Sequence, residues 1–549
     1  MDPPQQVIDQ SEAVLELRQD HIRHMLDEKP EAITVEDTKS GEFGVSGLLR
    51  SNYAGMPPSQ VIRKFYRMYL FGLGGGLAGM YIGYTLSAPG NIVANPGFIN
   101  QFGTVRDATG ALALNAKYVS LWSGFNYVSQ IFSQAVSPII GDRFGRRINM
   151  YLFTFSMILA IIVEIVAKDW KAYLGAKILI GIACGFLGTT CVTYLSEMVM
   201  PQMRGSILAA FSFSWQIGSL TSAVGLQVLE QSNPLAFRRI FYSEFVIVGI
   251  WMIALVLLPE SPVWLAMKDR DDKGKKALKW LVGNVQGYDL DHEWAVIRSE
   301  VADSRKISTK QGSNDWVALF KWKNFRRALI STLPFTYQNF IGVPLVFGQT
   351  TYFFQNAGLK NAFTASVIIS CIGLAGLGAS IYLIERLGRR TLVIWGAAIM
   401  IVSDMVIGGL GIPKITPGLG TGLITISCIW MFAYQTSLGP IGWTALVEIS
   451  SPVLRAKTAS VATILQSFSG VLFNYTVPFM LSDQYAGWGA KIGFFFGGIS
   501  VLYWIPCYFF FPETKNRTYA ELDELFERDI PPRLFHKTIT AAQGEDITA

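Results

Sequence analysis

The feature that most constrains this chain is a series of long apolar stretches that recurs from about residue 66 to residue 511. A bilayer core of about 30 Å takes roughly 20 apolar residues per helix, whereas a membrane strand needs only about ten. Because lipid offers no hydrogen-bond partners to the backbone, stretches of this length must be helices. We count twelve, at 66–87, 117–138, 149–167, 172–195, 206–229, 241–258, 328–354, 363–384, 391–409, 419–447, 456–481 and 489–511. The sequence therefore predicts an all-α membrane protein with twelve transmembrane helices.

The composition agrees with a lipid environment. Charged residues make up 16% of the chain and hydrophobic residues 51%, whereas soluble domains carry about 25% charged residues. This argues against a soluble multidomain enzyme. The five cysteines lie far apart without C-x-x-C spacing, so we expect no disulfide framework and no metal site. The first sixty residues lack the basic-then-apolar pattern of a signal peptide, so the first apolar stretch should insert as an uncleaved anchor.

Polar intervals divide the chain into five segments. They are a tail at 1–62, six helices at 63–258, a linker at 259–327, six helices at 328–513 and a tail at 514–549. Arginines cluster in short loops that follow alternate apolar stretches, as at 141–147 and 384–390. By the positive-inside rule this face is cytoplasmic, which also places both tails and the linker there. The net charge of +6 suits an anionic inner leaflet and does not call for nucleic acid.

Three motifs occur in both halves. GDRFGRR at 141–147 matches IERLGRR at 384–390. The pattern E-x-x-x-P-x-x-R runs from Glu197 to Arg204 and again from Glu448 to Arg455. PESPVWL, which follows the sixth stretch, corresponds to PETKNRT after the twelfth. A six-helix unit has therefore been used twice, as in carriers whose halves rock about a central site.

These motifs, over about residues 62–528, closely resemble the sugar porter family of the major facilitator superfamily. Within that family the sequence is most similar to fungal α-glucoside and hexose permeases. The similarity rests on four motifs: GY-x-x-x-x-x-GN at 83–91, QNF-x-G at 338–342, FAY-x-x-x-x-GP at 432–440 and WGAKIGFFFGG at 488–498. The resemblance implies the major facilitator fold, two six-helix bundles, and a sugar transporter rather than a channel or an enzyme. It implies no cofactor.

Arginine can bind a carboxylate through two parallel hydrogen bonds, and Glu197 and Glu448 are the natural partners for the loop arginines. In related porters such pairs latch the two halves on the cytoplasmic side. The resemblance gives that gating role to Arg143, Arg147, Glu197, Arg204, Glu385, Arg389, Glu448 and Arg455. The alternative is that the loop arginines only fix the topology.

A sugar site should offer amides and hydroxyls for the sugar hydroxyls and an aromatic ring for the apolar sugar face. By position in the family pattern and by helical spacing, the candidates are Gln338, Asn339, Gln435, Trp443, Ser212, Gln216 and Asn474. Trp443 would be the stacking platform. The alternative role of a buried amide is a hydrogen bond between helices, worth about 0.6 kcal/mol.

Proton symport in this family is associated with an Asp on the first span, where this chain has Thr85. Threonine cannot carry a proton, and we therefore expect facilitated diffusion. Lys177 then lacks its expected partner. Because charge within a membrane is costly, Asp404, Glu164 and Lys177 are candidates for ion coupling. Glu164 closely precedes Lys168 and Asp169, so we expect it at the membrane interface.

The sequence favours a carrier of hexoses, disaccharides or polyols that acts as a monomer in the plasma membrane. Three alternatives stay open: a proton-coupled sugar symporter that uses another acid, a carrier of a different solute such as a secondary metabolite, and a non-transporting nutrient receptor. Enzyme chemistry has little support because no P-loop is present and the four histidines lie outside the apolar stretches.

Overall fold

The computed structural model describes residues 51–540 except 107–109, 311–318, 349, 358, 360, 414–415, 451–454, 516, 518 and 539. The side chains of 89, 303–310, 347–348, 356, 447, 455–457, 519–520, 523 and 537 are also outside the described set. Most of the predicted tail at 1–62 and the end of the tail at 514–549 lie outside the described residues. The five segment boundaries stay predictions.

The described residues are predominantly helical. In the first half the helices are α1 (Pro58–Lys64), α2 (Tyr66–Asn91), α3 (Pro96–Phe102), α4 (Ala116–Phe144), α5 (Arg146–Val166), α6 (Trp170–Met198), α7 (Pro201–Ser232) and α8 (Arg238–Leu257). The linker contributes α9 (Pro262–Met267), α10 (Asp271–Val282) and α11 (Leu290–Lys310). In the second half they are α12 (Trp322–Phe340), α13 (Thr350–Asn356), α14 (Ala362–Leu387), α15 (Arg389–Leu410), α16 (Pro417–Thr436), α17 (Leu438–Ile449), α18 (Arg455–Leu481), α19 (Ile492–Phe510) and α20 (Tyr519–Glu527).

Long helices occupy all twelve predicted stretches. Nine helical segments of the described chain are long and apolar enough to cross a membrane. The helices at the first, second and seventh stretches are more polar and are not among these nine. A multi-pass helical membrane protein is therefore confirmed, while the number twelve stays a prediction.

Two predicted spans are broken helices. The seventh, predicted as continuous over 328–354, leaves the α-helical path after Phe340, continues as a π-helical segment at Pro344–Gly348 and resumes as α13. Gly342 has a φ of 97°, which favours glycine, and the ring of Pro344 has no N–H to donate. The tenth, predicted over 419–447, breaks at Ser437, where φ is −127° and ψ is −93°. Pro440 explains the second break, because in a continuous helix its ring would clash with the carbonyl of Thr436, four residues earlier.

Small residues allow the helices of each half to pack closely. At the crossing of α2 and α7, a Cβ on Gly83 would collide with the carbonyl of Trp215, and one on Gly218 with the carbonyl of Met80. Close approach through small residues is the usual mode of helix association in lipid. The two halves meet where α4 packs against α18 and α7 packs against α14.

The linker lies on the face that carries the arginine motifs 141–147 and 384–390. Trp264 of α9 donates its indole N–H to the carbonyl of Asp142, 3.1 Å away, at the end of α4. We call this side of the protein the motif face and the other side the opposite face. On the opposite face two short strands, Val105–Arg106 and Leu112–Ala113, pair antiparallel.

Candidate functional site

Two glutamines join the halves through their side chains. Nε2 of Gln435 on α16 donates to Oε1 of Gln216 on α7 at 2.9 Å. Nε2 of Gln216 then donates to the carbonyl of Ser370 on α14 at 3.1 Å. Both glutamines are buried. The sequence named both as substrate candidates, and the structure brings them into direct contact.

The double amide of α12 is held within the second half. Gln338 donates to the carbonyl of Leu438 at 3.1 Å and accepts a hydrogen bond from the hydroxyl of Tyr434 at 3.0 Å. Asn339 donates to the carbonyl of Gln466 at 2.7 Å. In this conformation both amides hold α12 against its neighbours. A sugar that used them would have to replace these hydrogen bonds.

The other three substrate candidates differ in availability. Ser212 donates to the carbonyl of Leu208 in its own helix at 3.3 Å, and Asn474 likewise donates to Gly470 at 3.0 Å. The ring of Trp443 is 40% exposed and lies edge-on to Phe335. The exposed indole is therefore the best placed of the three to receive a ligand.

Polar residues that were not among the candidates predicted from the sequence extend this region. Gln134 on α4 accepts a hydrogen bond from Ser467 on α18 at 2.9 Å, which is a second side-chain bridge between the halves. Tyr127, two turns earlier on α4, lies against Gly470 of α18 and beside Asn474. The pattern could have been found, because Tyr127, Gln130 and Gln134 recur at helical spacing within an apolar stretch.

Lys177 has a partner, contrary to the expectation from sequence. Its Nζ lies 3.6 Å from Oε1 of Glu164, and both side chains are buried inside the first half. Glu164 lies two residues from the end of α5, and its place at the membrane interface stays a prediction. Its side chain is fully buried within the first half. The prediction considered distance along one helix and not the packing of α6 against it.

Glu244 on α8 is a third charged residue at this place and was not among the candidates predicted from the sequence. Its carboxylate is fully buried beside Glu164, Lys177 and Thr85. Neither of its oxygens has a hydrogen-bond partner by normal geometry among the described residues. One lysine therefore faces two buried acids. The signal was available, because Glu244 lies inside a predicted span.

Asp404 stands apart from that cluster. It lies on α15 in the second half and is fully buried, and within residues 51–540 as described neither carboxylate oxygen has a partner by normal geometry. The indole of Trp430 is its polar neighbour. It also lies beside Gly342, at the break after α12.

On the motif face of the first half, the partner of Glu197 is not one of the arginines that the sequence named. Arg146 makes the ion pair, at 3.1 Å, and also binds Asp142 at 2.7 Å. Arg143 is exposed and lies over the ring of Phe144. Arg146 begins α5, directly after Gly145, and this position turns it toward α6.

Arg147 instead packs along α5, where its guanidinium donates to the hydroxyl of Tyr151 at 2.6 Å. Arg204 is exposed and interacts electrostatically with Glu300 of the linker. The side chain of Arg455 lies outside the described residues. The gating roles of these arginines stay predictions.

The second half repeats the arrangement with the residues that the sequence named. Arg389 pairs with Glu448 at 3.2 Å and with Glu385 at 3.1 Å. The glycine before each motif helix has a positive φ, 113° at Gly145 and 85° at Gly388. A Cβ at either position would collide with a glutamate carboxylate.

Those glutamates explain the third repeated motif. Glu260 accepts from the backbone N–H of Arg146 at 2.9 Å, and Glu513 accepts from that of Arg389 at 2.9 Å. A carboxylate at a helix N-terminus satisfies free N–H groups and interacts favourably with the helix dipole. Burial raises the pKa of Glu260, and the N–H donors of Ser261, Arg146 and Arg147 oppose that rise.

The arginine pairs do not join the halves in this conformation. Every ion pair of the described residues on the motif face lies within one half or its adjoining segments. The halves are joined on the opposite face, where Gln484 donates to the carbonyl of Leu114 at 2.7 Å and accepts from the N–H of Ala116 at 3.3 Å. The N–H of Thr351 also donates to Asn91 at 3.0 Å. The protein is therefore closed on the opposite face.

The fold matches solved transporter structures. The inward-open xylose transporter XylE from E. coli aligns with a TM-score of 0.65, covering 83% of this chain and 99% of that chain at 21% identity. The proton:xylose symporter XylE bound to 6-bromo-6-deoxy-D-glucose also aligns with a TM-score of 0.65, at 20% identity over 84% and 99% of the two chains. These similarities confirm the major facilitator fold.

Sequence relatives extend over most of the chain. The general alpha-glucoside permease of Saccharomyces cerevisiae is 28% identical over 85% of this chain and 76% of its own length. MFS transporter fmqE of Aspergillus fumigatus is 28% identical over 84% and 87%. The family described as "Sugar (and other) transporter" matches residues 75–526. The chain therefore belongs to the sugar transporter family of the major facilitator superfamily.

Proposed function

We propose that this protein carries a neutral sugar, a hexose, disaccharide or polyol, across the membrane by alternating access. The observation that carries this proposal is the chemistry of the side chains that bridge the halves. Gln216 with Gln435, and Gln134 with Ser467, are neutral donors and acceptors. A sugar hydroxyl both donates and accepts, so it can replace either member of such a pair. The exposed ring of Trp443 offers a stacking surface.

Replacement of these hydrogen bonds would link binding to movement. A sugar between Gln216 and Gln435 would occupy the contact that now joins α7 to α16. The closed opposite face supports a conformation that is open toward the motif face, with Gln484 among the contacts that must break before the other state forms. The positive-inside rule supports a cytoplasmic motif face, with both tails on that side. Plasma-membrane residence and action as a monomer belong to the same proposal.

Facilitated diffusion is the mode that we propose. Thr85 occupies the position at which symporters of the family have an Asp, and Gln435 is also neutral. The named bridging side chains include no ionisable group. The alpha-glucoside permease and the hexose transporter of Kluyveromyces lactis among the relatives are consistent with a sugar substrate.

Uptake tests the proposal directly. Labelled hexoses, α-glucosides and polyols are supplied to cells that lack their own sugar carriers, with and without a protonophore. We expect saturable uptake of at least one sugar that survives the protonophore and has a several-fold higher KM in Gln435→Ala. If the correctly inserted protein moves none of the sugars, the sugar assignment is wrong. A carrier of another solute, or a receptor, then becomes the better description.

Glu244 favours proton-coupled sugar symport as a second candidate function. A buried carboxylate beside an already paired lysine is a natural proton-binding group, and membrane carriers use such acids as proton relays. In this case the protonophore abolishes accumulation. Glu244→Gln should then still exchange sugar across the membrane but should no longer accumulate sugar against its concentration gradient. Asp404→Asn and Glu164→Gln are the matched comparisons, since both also neutralise a buried acid.

A further inference from the structure

The linker helix α10 presents a basic face that the transport proposal does not use. Ala277, Leu278 and Leu281 are buried against the rest of the protein. The opposite side of the helix exposes Lys273, Lys276, Lys279 and Trp280. The helix is therefore amphipathic, and one aromatic ring lies on its charged side.

Trp280 places this face at the membrane boundary. Its indole N–H donates to the carbonyl of Leu257, 3.1 Å away, and Leu257 is the last residue of the membrane helix α8. The side chain of Leu257 is itself exposed. The ring of Trp280 is 47% exposed and contacts Phe71 of α2, with the ring centroids 6.1 Å apart. Tryptophan is enriched at the level of the lipid headgroups.

Two arginines of the first half complete the surface. The guanidinium of Arg67 lies 5.1 Å from the ring of Trp280 and 5.8 Å from that of Phe71. Arg63, one turn earlier, is exposed. We call Arg63, Arg67, Lys273, Lys276 and Lys279, together with Trp280, the basic boundary surface.

The acids around this surface do not neutralise it. Asp271 and Asp269 pair with Arg298, and Asp291 pairs with Lys275. Asp272, exposed on α10 itself, is the acid closest to the basic residues in the sequence. Among the described residues, none of the five cations of the surface forms an ion pair. An anion at the depth of the lipid headgroups would supply the negative charge that compensates these cations.

We propose that the basic boundary surface binds the headgroups of anionic phospholipids. Each lysine near a membrane surface strengthens binding to anionic lipid roughly fivefold. The apolar residues Trp280, Phe71 and Leu257 adjoin the cations at the end of the membrane helix α8, so the surface matches a headgroup with its chains better than a soluble anion. The inference does not depend on the solute carried. It agrees with the proposed orientation, because the cytoplasmic leaflet is the anionic one.

The test uses the full chain in a neutral detergent, titrated with dioctanoyl phosphatidylserine or dioctanoyl phosphatidylcholine and followed by thermal unfolding. We expect the serine lipid to stabilise the protein at concentrations where the choline lipid does not. The triple variant K273Q/K276Q/K279Q should bind it roughly 100-fold more weakly. The matched control K117Q/K168Q/K171Q removes the same charge from exposed lysines of the opposite face and should bind as the wild type does.

Two further measurements keep the proposal falsifiable even if the triple variant is poorly folded. In the wild type, 500 mM NaCl should weaken the effect of the serine lipid, because salt screens exposed charges. Glycerophosphoserine, which is the headgroup without its acyl chains, should stabilise far less than the lipid. Equal stabilisation by the headgroup alone identifies a site for soluble anions and overturns the proposal. Equal loss in the control triple, or no loss in K273Q/K276Q/K279Q, also overturns it.

Discussion

The buried cluster of Glu164, Lys177 and Glu244 yields the sharpest prediction for a single substitution. Lys177→Met removes the only cation of this cluster and leaves two carboxylates without compensation in the interior of the first half. Removing one partner of a buried ion pair costs about 3–5 kcal/mol. With an unfolding entropy of about 2 cal/mol/K per residue, 549 residues give roughly 1 kcal/mol/K. The unfolding temperature should therefore fall by about 3–5 °C.

The assay is thermal unfolding of the purified variant in detergent at pH 7.5 and at pH 5. The loss should be smaller at pH 5, because protons then neutralise the carboxylates that the lysine no longer compensates. The matched control E164Q/K177M/E244Q removes all three charges and should recover most of the stability. An unfolding temperature of Lys177→Met equal to that of the wild type at pH 7.5 would refute this account of the cluster.

Three further substitutions test other parts of the structure. Gln216→Ala should raise the KM for the transported sugar by about 3- to 10-fold, which is the effect of one lost hydrogen bond. The control is Ser212→Ala, because the hydroxyl of Ser212 bonds within its own helix. This variant should change the KM by less than about twofold in the same uptake assay. Gly388→Ala should lower the free energy of unfolding by about 1–3 kcal/mol, because φ is 85° at this position and the added Cβ collides with a carboxylate. Gly249 has open space around it, so Gly249→Ala should leave the free energy of unfolding unchanged. Thermal unfolding measures both. Gln484→Ala removes a hydrogen bond that joins the halves on the opposite face. An introduced cysteine on that face should therefore react faster with an impermeant maleimide. An unchanged rate would contradict the role of Gln484 in closing this face.

The membrane fold was predictable because every backbone N–H and C=O in lipid must find a hydrogen-bond partner within the protein. Twenty apolar residues in a row leave few alternatives to a helix, and the repeated motifs showed that the two halves correspond. The breaks after Phe340 and at Ser437 were harder to place. Gly342 and Pro440 were visible in the sequence, but glycine and proline are also tolerated within continuous membrane helices.

The contacts of the candidate site were less predictable, because they depend on which helix faces cross. Gln216 and Gln435 are 219 residues apart in the chain, and nothing local indicated that their amides would meet. Arg143 and Arg146 lie in the same loop motif, and only the start of α5 decides which of them reaches Glu197. Lys177 was expected to be unpaired because its partner was sought on the first span rather than on the third.

Equilibrium counterflow tests the central claim most directly. Proteoliposomes that contain the purified protein and are preloaded with unlabelled sugar are diluted into labelled sugar at the same pH, and the internal label is followed over time. The account predicts a transient accumulation of label above its equilibrium level for at least one hexose, disaccharide or polyol, without alkalinisation of the medium. Absence of this overshoot for every sugar, from a protein shown to be folded and inserted, would contradict the claim that this protein is a sugar carrier.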